Sequence, residues 1–273
     1  MNFTEKIINK LAVQPVQSGI GKWDKTNVKG YDIFPNSPFW NTFITARKKS
    51  GKSSLINLIT QKCVNKNTVV WVFCATYQLD PTWKEIISEL EKKGNLVNCY
   101  DSIIDGKVNI LEDIIDEINK EEEEEEELPK KTTNSIVKFY NETEANTKMY
   151  KPKKIAPENL FIFDDLPAIH LRNQSIARLL KIHRHSKSSV IISSQYILDI
   201  QPQSILQLDY FIAFKGLSEE KMRGIHKLFD LSIDFPEFWK IYKHCTEEPY
   251  SFMYVSIRDE KFRCKLNKEI NLM

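Results

Sequence analysis

Ala46-Arg47-Lys48-Lys49-Ser50-Gly51-Lys52-Ser53-Ser54 places a glycine, a lysine and a hydroxyl at the spacing of a loop that grips phosphate. Successive backbone N–H groups around Ser50 to Ser53 can point at a nucleotide's phosphates. The Lys52 ammonium can reach the β- and γ-phosphates, and the Ser53 hydroxyl can take one position on Mg²⁺. Ala46 stands where the pattern has its first glycine, and an alanine serves there only with a negative φ. A lysine-rich surface turn at a helix start carries the same triplet, so hydrolytic chemistry needs a second element with acidic residues. Phe161-Ile162-Phe163-Asp164-Asp165 is such an element, a hydrophobic run ending in two carboxylates. Asp164 can hold Mg²⁺ through its water shell, and Asp165 can polarise an attacking water. By itself, that pair also reads as an ordinary βα loop with a helix cap. Gln195 follows Val190-Ile191-Ile192-Ser193-Ser194, and its amide can hydrogen-bond both a γ-phosphate and the water, although a polar strand end is an equal reading of this residue alone.

These residues must be positioned by strands that end together. Phe39 to Thr45 reads as a buried strand, and Leu55, Ile56, Leu58, Ile59 and Cys63 form a helical apolar stripe after the loop. Thr68 to Cys74 is a continuous β-branched and aromatic run, the mark of a strand covered on both faces. Pro81 opens a helix, Leu96 to Tyr100 reads as a short strand, and Ile103 to Ile118 as a further helix. Strands at Asn159 to Asp165, Ser189 to Ser194 and Tyr210 to Phe214 alternate with helices at Asn173 to Ser186, Gln203 to Leu206, Ser218 to Leu228 and Pro236 to Lys243. Tyr250 to Ile257 and Lys261 to Leu266 flank Arg258-Asp259-Glu260 as a β-hairpin. Such alternation predicts an α/β fold with a mostly parallel sheet flanked by helices and extended by the C-terminal hairpin. In motif order (phosphate loop, acids, polar sensor) the chain is expected to be a P-loop NTPase of the ASCE, RecA-like type. In that type an extra strand lies between the loop strand and the acidic strand, and Val69 to Cys74 or its neighbour near Val97 is available for it.

The composition is ordinary for a globular chain, with 41% hydrophobic and 28% charged residues, and the net charge of +2 excludes a bulk polycation. No apolar run is long enough to span a bilayer, and no signal-peptide core opens the chain. Cys63, Cys74, Cys99, Cys245 and Cys264 are odd in number and scattered, so neither a zinc site nor a disulfide framework is expected. The reading is an intracellular, reduced, soluble protein. Residues 1–38, with a short amphipathic helix from Phe3 to Leu11, read as an N-terminal arm to a P-loop domain at 39–273. Glu121 to Glu127 is an unbroken run of glutamates inside a flexible acidic insertion at 120–157. It reads as a solvated helix end, the sharper alternative being a guard that excludes or mimics a polyanion.

Residues 39 to about 215 resemble the FtsK–HerA superfamily of DNA-pumping ATPases, and most closely the genome-packaging ATPases of large double-stranded DNA viruses and virophages. The resemblance is carried by Ala46 to Ser53, by Phe161 to Asp165, and by Leu179-Leu180-Lys181-Ile182-His183-Arg184-His185 leading into Val190 to Gln195. It implies ATP and Mg²⁺ as ligands, with catalytic Lys52, Asp165 and Gln195 and metal-holding Ser53 and Asp164. It also implies a homo-oligomeric ring, a pentamer or hexamer with sites between subunits, that moves double-stranded DNA into a capsid through a capsid or portal-type protein. The setting implied is the cytoplasm of an infected cell, at the virus factory or with the virion. An arginine acting in trans is implied as well: Arg184 is the first choice, with Arg178 and Arg172 behind it. A helicase or other DNA-remodelling ATPase on the same core is the enzyme alternative, and a nucleotide-gated assembly protein the non-enzyme one. Helix-turn-helix and zinc patterns that would signal sequence-specific readout are absent.

Overall fold

The computed structural model describes residues 25–127 and 154–271. The Phe3 to Leu11 helix and most of the acidic insertion lie outside them. β1 (Asn41–Thr45) is buried at every position and runs into the loop that opens α1 (Lys52–Cys63). β2 (Val69–Cys74) leads to α2 (Pro81–Lys92), whose start is set by Pro81 and by Asp80, which accepts from the Thr82 N–H at 2.8 Å. β3 (Val97–Tyr100) is the edge strand, and its side chains are all half-buried.

The helix expected from Ile103 starts later. Gly106, at φ +58°, turns the chain into a small hairpin of β4 (Ile104–Asp105) and β5 (Val108–Asn109). Asn109 then accepts from the Glu112 N–H at 3.2 Å and opens α3 (Ile110–Glu127). The glutamate run forms the C-terminal part of that helix, and the continuation of the insertion falls in the undescribed segment.

β6 (Asn159–Asp164), α4 (Ala168–Leu171), α5 (Gln174–Ile182), β7 (Ser188–Ser194), α6 (Pro202–Ile205), β8 (Tyr210–Phe214), α7 (Glu219–Phe229), α8 (Phe235–Cys245), β9 (Phe252–Ser256), β10 (Lys261–Cys264) and β11 (Lys268–Ile270) follow. Nine strands form one sheet in the order β11-β10-β9-β8-β1-β7-β6-β2-β3. From β8 to β3 all neighbours are parallel, and β9, β10 and β11 add on as an antiparallel extension. The expected C-terminal hairpin is therefore present.

One expectation about strand order is corrected. A strand does separate β1 from the acidic β6, but it is β7, which carries the polar sensor, and not β2 or β3. β2 and β3 lie beyond β6. Hydrophobic runs this similar cannot be ordered by pattern, because each is covered on both faces and fits any central position.

Helices cover both faces. α1 and α2, with Ile33, Phe34 and Trp40 of the segment before β1, pack on one side against Val70, Val72, Leu160, Ile162, Ile191 and Ile212. α3, α5, α7 and α8 pack on the other, against Phe43, Phe161, Phe163, Val190, Ile192 and Phe211. The preceding segment is tied down by a parallel bridge between Val28 and Ile155, with Lys29 N–H donating to Ile155 O at 2.8 Å. The fold is α/β, with the loop strand central in the sheet and the acidic strand two places away.

A second correction concerns the cysteines. Cys245 and Cys264 form a disulfide that joins the end of α8 to the end of β10, with Cα atoms 4.5 Å apart. Nothing in their spacing reveals the pair; α8 packing onto β9 and β10 brings them together. Cys63, Cys74 and Cys99 are free, and burial raises all three thiols, Cys99 to about 11.

Candidate functional site

β1, β6 and β7 are parallel and in register, so their C-terminal ends lie on one edge of the sheet: Thr45 pairs with Ser194, and Asp164 with Ser193. In open α/β sheets ligands sit beyond this edge. The register brings together residues far apart in sequence. Lys52 Nζ lies 2.8 Å from Asp164 Oδ1 and 2.5 Å from Asp165 Oδ1. Lys52 is 113 positions from Asp165 in sequence, so this contact is made by the sheet alone.

The two carboxylates sit in different surroundings. Asp164 is 2% exposed and Asp165 51%. Asp165 has a φ of +51°, the left-handed region, because the chain must leave β6 sharply there. Asp164 is held from three sides: Ser193 Oγ donates to Oδ1, Trp83 Nε1 donates to Oδ2 at 3.0 Å, and Lys52 approaches Oδ1. Burial alone would lower the Lys52 ammonium, but Asp164 and then Asp165 outweigh it and hold the group above the usual lysine value.

The loop itself suits an anion. Gly51 caps α1 at φ +90° with no side chain bonded to the helix start, which leaves the first-turn N–H groups without a side-chain cap. Ser50 Oγ is buried with no hydrogen-bond partner. An unpartnered buried hydroxyl beside uncapped amides is the donor set a triphosphate would satisfy. Ala46 is not among the positive-φ residues, which meets the condition set for it; Lys49, at φ +62°, makes the tight bend instead. Arg47, Lys48, Lys49 and Ser54 are exposed, and Ser53 is half-buried in the first turn of α1. Ser53 and Asp164 fit a Mg²⁺ ion, which keeps most of its waters and needs only one or two protein oxygens.

Gln195 is exposed, one residue past the end of β7, and its carbonyl accepts from Thr45 Oγ1 at 3.1 Å. It lies beside the base of the phosphate loop and borders a cavity of about 330 Å³ with Thr45, Tyr196, Leu198, Leu217 and Lys221.

The three arginines are separated. Arg184 lies in the turn before β7, at the opposite edge of the sheet from the loop. It is 44% exposed and donates to Asp209 Oδ1 at 3.1 Å. Arg178, on α5, is clasped by Glu112 and Asp116 of α3. Arg172, after α4, donates to the carbonyl of Leu198 at 2.6 Å. Trp83 and Ser193 are site residues that sequence reasoning missed: one reads as an apolar position in the stripe of α2, set apart only by its indole N–H, and the other as an ordinary position of β7.

No protein family and no curated protein matches the sequence. Among solved structures, the chain is similar to the genome-packaging NTPase B204 of Sulfolobus turreted icosahedral virus 2 in complex with ATPγS. Identity is 18%, 83% of this chain and 96% of that chain are covered, and the TM-score is 0.47. It is also similar to the same NTPase in complex with AMP (16% identity, 87% and 100% covered, TM-score 0.49). A third similarity is to the conjugation coupling protein TcpA of pCW3 with ATPγS (10% identity, 79% and 56% covered, TM-score 0.46).

Proposed function

We propose that this chain is a Mg²⁺-dependent ATPase that moves double-stranded DNA, and that it packages a viral genome into a capsid. The observation that carries the ATPase reading is Lys52 held between Asp164 and Asp165 at the head of α1. A lysine poised there can turn from the carboxylates to a triphosphate, leaving Asp164 for the metal and Asp165 for water. A Mg²⁺ ion held there would supply positive charge against what develops on the phosphates as the bond breaks. Ser53 and Asp164 would hold it, Lys52 and the loop amides would orient the phosphates, and Gln195 would contact the γ-phosphate and the water. Asp165, half-exposed at the mouth of the site, accepts a hydrogen bond from that water and aims its lone pair.

Arg184 is proposed to act in a neighbouring subunit. It lies where β7 begins and the phosphate loop lies where β1 ends, a strand length of about 20 Å away. That separation supports a role at the site of a neighbouring subunit rather than at its own. The DNA part of the reading rests on the motif resemblance over residues 39 to about 215. Among the described residues no helix is long and apolar enough to cross a membrane.

The test is ATP turnover with and without nucleic acid. Linear duplex DNA is expected to stimulate turnover several-fold, and single strands or forks to do so less. Stimulation by single strands or forks alone would favour the helicase reading. No turnover after a single-turnover assay with saturating DNA would favour the assembly protein.

Trp83 provides a second, finer check. Trp83→Phe keeps most of the ring volume but removes the N–H that fixes Asp164 Oδ2. A hydrogen bond to a charged group contributes about 1.5–3 kcal/mol, so turnover at limiting Mg²⁺ is expected to fall about tenfold or more. Titrating Mg²⁺ against rate should partly recover the loss. A variant with an unchanged Mg²⁺ dependence would show that Trp83 only packs.

A further inference from the structure

The strand order gives the site a direction. On one flank of β1 lie β7 and β6, whose ends carry Gln195, Asp164 and Asp165; on the other lie β8 and β9. The γ end of a nucleotide faces the acids, so the nucleoside must leave the phosphate loop on the β8 and β9 flank. This step rests on the ATPase reading above. Two turns form that flank. One follows β8 at Lys215 to Leu217. The other, Thr246 to Ser251, precedes β9 and lies on the same edge because β9 is antiparallel to β8, with Phe214 opposite Phe252.

Tyr250 stands in the second turn, beside the loop. A Cβ built on Gly51 would lie 3.5 Å from Tyr250 Cδ1 and 4.0 Å from Phe214 Cε1. Phe214 is buried, whereas Tyr250 is 69% exposed, an open aromatic face next to the uncapped start of α1. Its φ is +59°, a region that large L-residues avoid, so the surrounding turn must impose the conformation.

That turn is firmly held. Lys215 N–H donates to Ser251 O at 3.1 Å, Lys215 Nζ donates to Glu247 O, and Ser251 Oγ donates to Glu248 O at 2.5 Å. Lys265 pairs with Glu248 at 3.1 Å, and the Cys245–Cys264 disulfide anchors the end of α8 five residues before the tyrosine. A turn braced in this way loses little backbone freedom when a flat partner stacks on its exposed ring.

We propose that Tyr250 is the platform on which the base of the bound nucleotide stacks. Stacking accepts any base with a π-face, so this contact adds affinity for the nucleoside with little choice between adenine and guanine. Arg47 is the neighbouring cation; its guanidinium stem packs over Gly216, with Cδ 3.2 Å from where a Cβ would stand. It flanks the same exit from the loop.

Binding of ATPγS, GTPγS and inorganic tripolyphosphate to the full chain is measured by calorimetry for wild type, Tyr250→Ala, Tyr250→Phe and Lys52→Ala. Tyr250→Ala is expected to weaken both nucleotides about tenfold and to leave tripolyphosphate unchanged. Tyr250→Phe is expected to bind all three within about twofold of wild type, since the ring face is kept. The proposal is overturned if Tyr250→Ala binds ATPγS like wild type. It is equally overturned if tripolyphosphate affinity drops in parallel, because the tyrosine would then only brace the loop. Wild-type protein that binds neither nucleotide nor tripolyphosphate, or a Lys52→Ala variant that binds both unimpaired, would instead remove the phosphate-site reading and this proposal with it.

Discussion

Lys52→Ala is expected to abolish ATP turnover, with a loss of about a thousandfold or more. The ammonium is the cation that touches both Asp164 and Asp165, whereas Arg47, Lys48 and Lys49 of the same loop are exposed. Removing it costs twice. Charge on the β- and γ-phosphates loses its partner, and Asp164, 2% exposed, keeps only Trp83 and Ser193 as donors. Breaking a buried pair by deleting one partner destabilises by about 3–5 kcal/mol; the 51% exposure of Asp165 argues for the low end here. A thermal melt therefore accompanies the rate, so that unfolding is not mistaken for lost chemistry. Asp165→Asn is the cleaner partner experiment. It keeps the shape, is expected to retain ATP binding, and should lose turnover to a similar degree. A Lys52→Ala enzyme that still hydrolyses ATP would sink the assignment.

The raised Lys52 ammonium adds a pH sign. Its folded value lies above the ordinary lysine value of about 10.4. The pair therefore contributes its full stability below that pH and loses it as pH rises through the folded value. Over the neutral range Lys52 stays charged, and any change of rate with pH there belongs to another group.

Arg184→Ala is expected to lower turnover by about a thousandfold while ATP binding is retained, the scale on which an arginine at a transferring phosphoryl group acts. Its ion pair with Asp209 is exposed on the arginine side, and such pairs contribute only about 0–1 kcal/mol, so the melting temperature should hardly move. The decisive form of the experiment mixes two inactive variants. Arg184→Ala subunits keep an intact phosphate loop, and Lys52→Ala subunits keep the arginine. If the arginine acts between subunits, mixed assemblies regain part of the activity that neither variant has alone. Full activity in Arg184→Ala, or no recovery on mixing, would reject the role. Arg172 would then be tested first, because it sits at the edge that carries the acids, whereas Arg178 is already held by Glu112 and Asp116.

Much of the fold was legible in the residues. β6, β7 and β8 are apolar runs bounded by polar turns, and a segment of that kind declares itself by pattern. The start of α3 was not, because Ile103 continues the apolar period of the helix while Gly106 and Asn109, one turning the chain and the other capping, decide where it begins. The Cys245–Cys264 disulfide was equally hidden, since it depends on how α8 lies on β10.

The sequence by itself determined the chemistry on offer: a lysine and hydroxyl after a glycine, two carboxylates ending a strand, an amide ending another. Those identities are local, and the apolar runs and turn residues that mark a strand or loop are read from neighbouring positions. Tertiary structure alone decided which strand separates β1 from β6, that Lys52 meets Asp164 and Asp165, that Trp83 grips the buried carboxylate, and that Arg184 lies at the opposite edge of the sheet from the loop. Each of these is a distance between residues remote in the chain, set by sheet order and helix packing, and a one-dimensional pattern does not contain it.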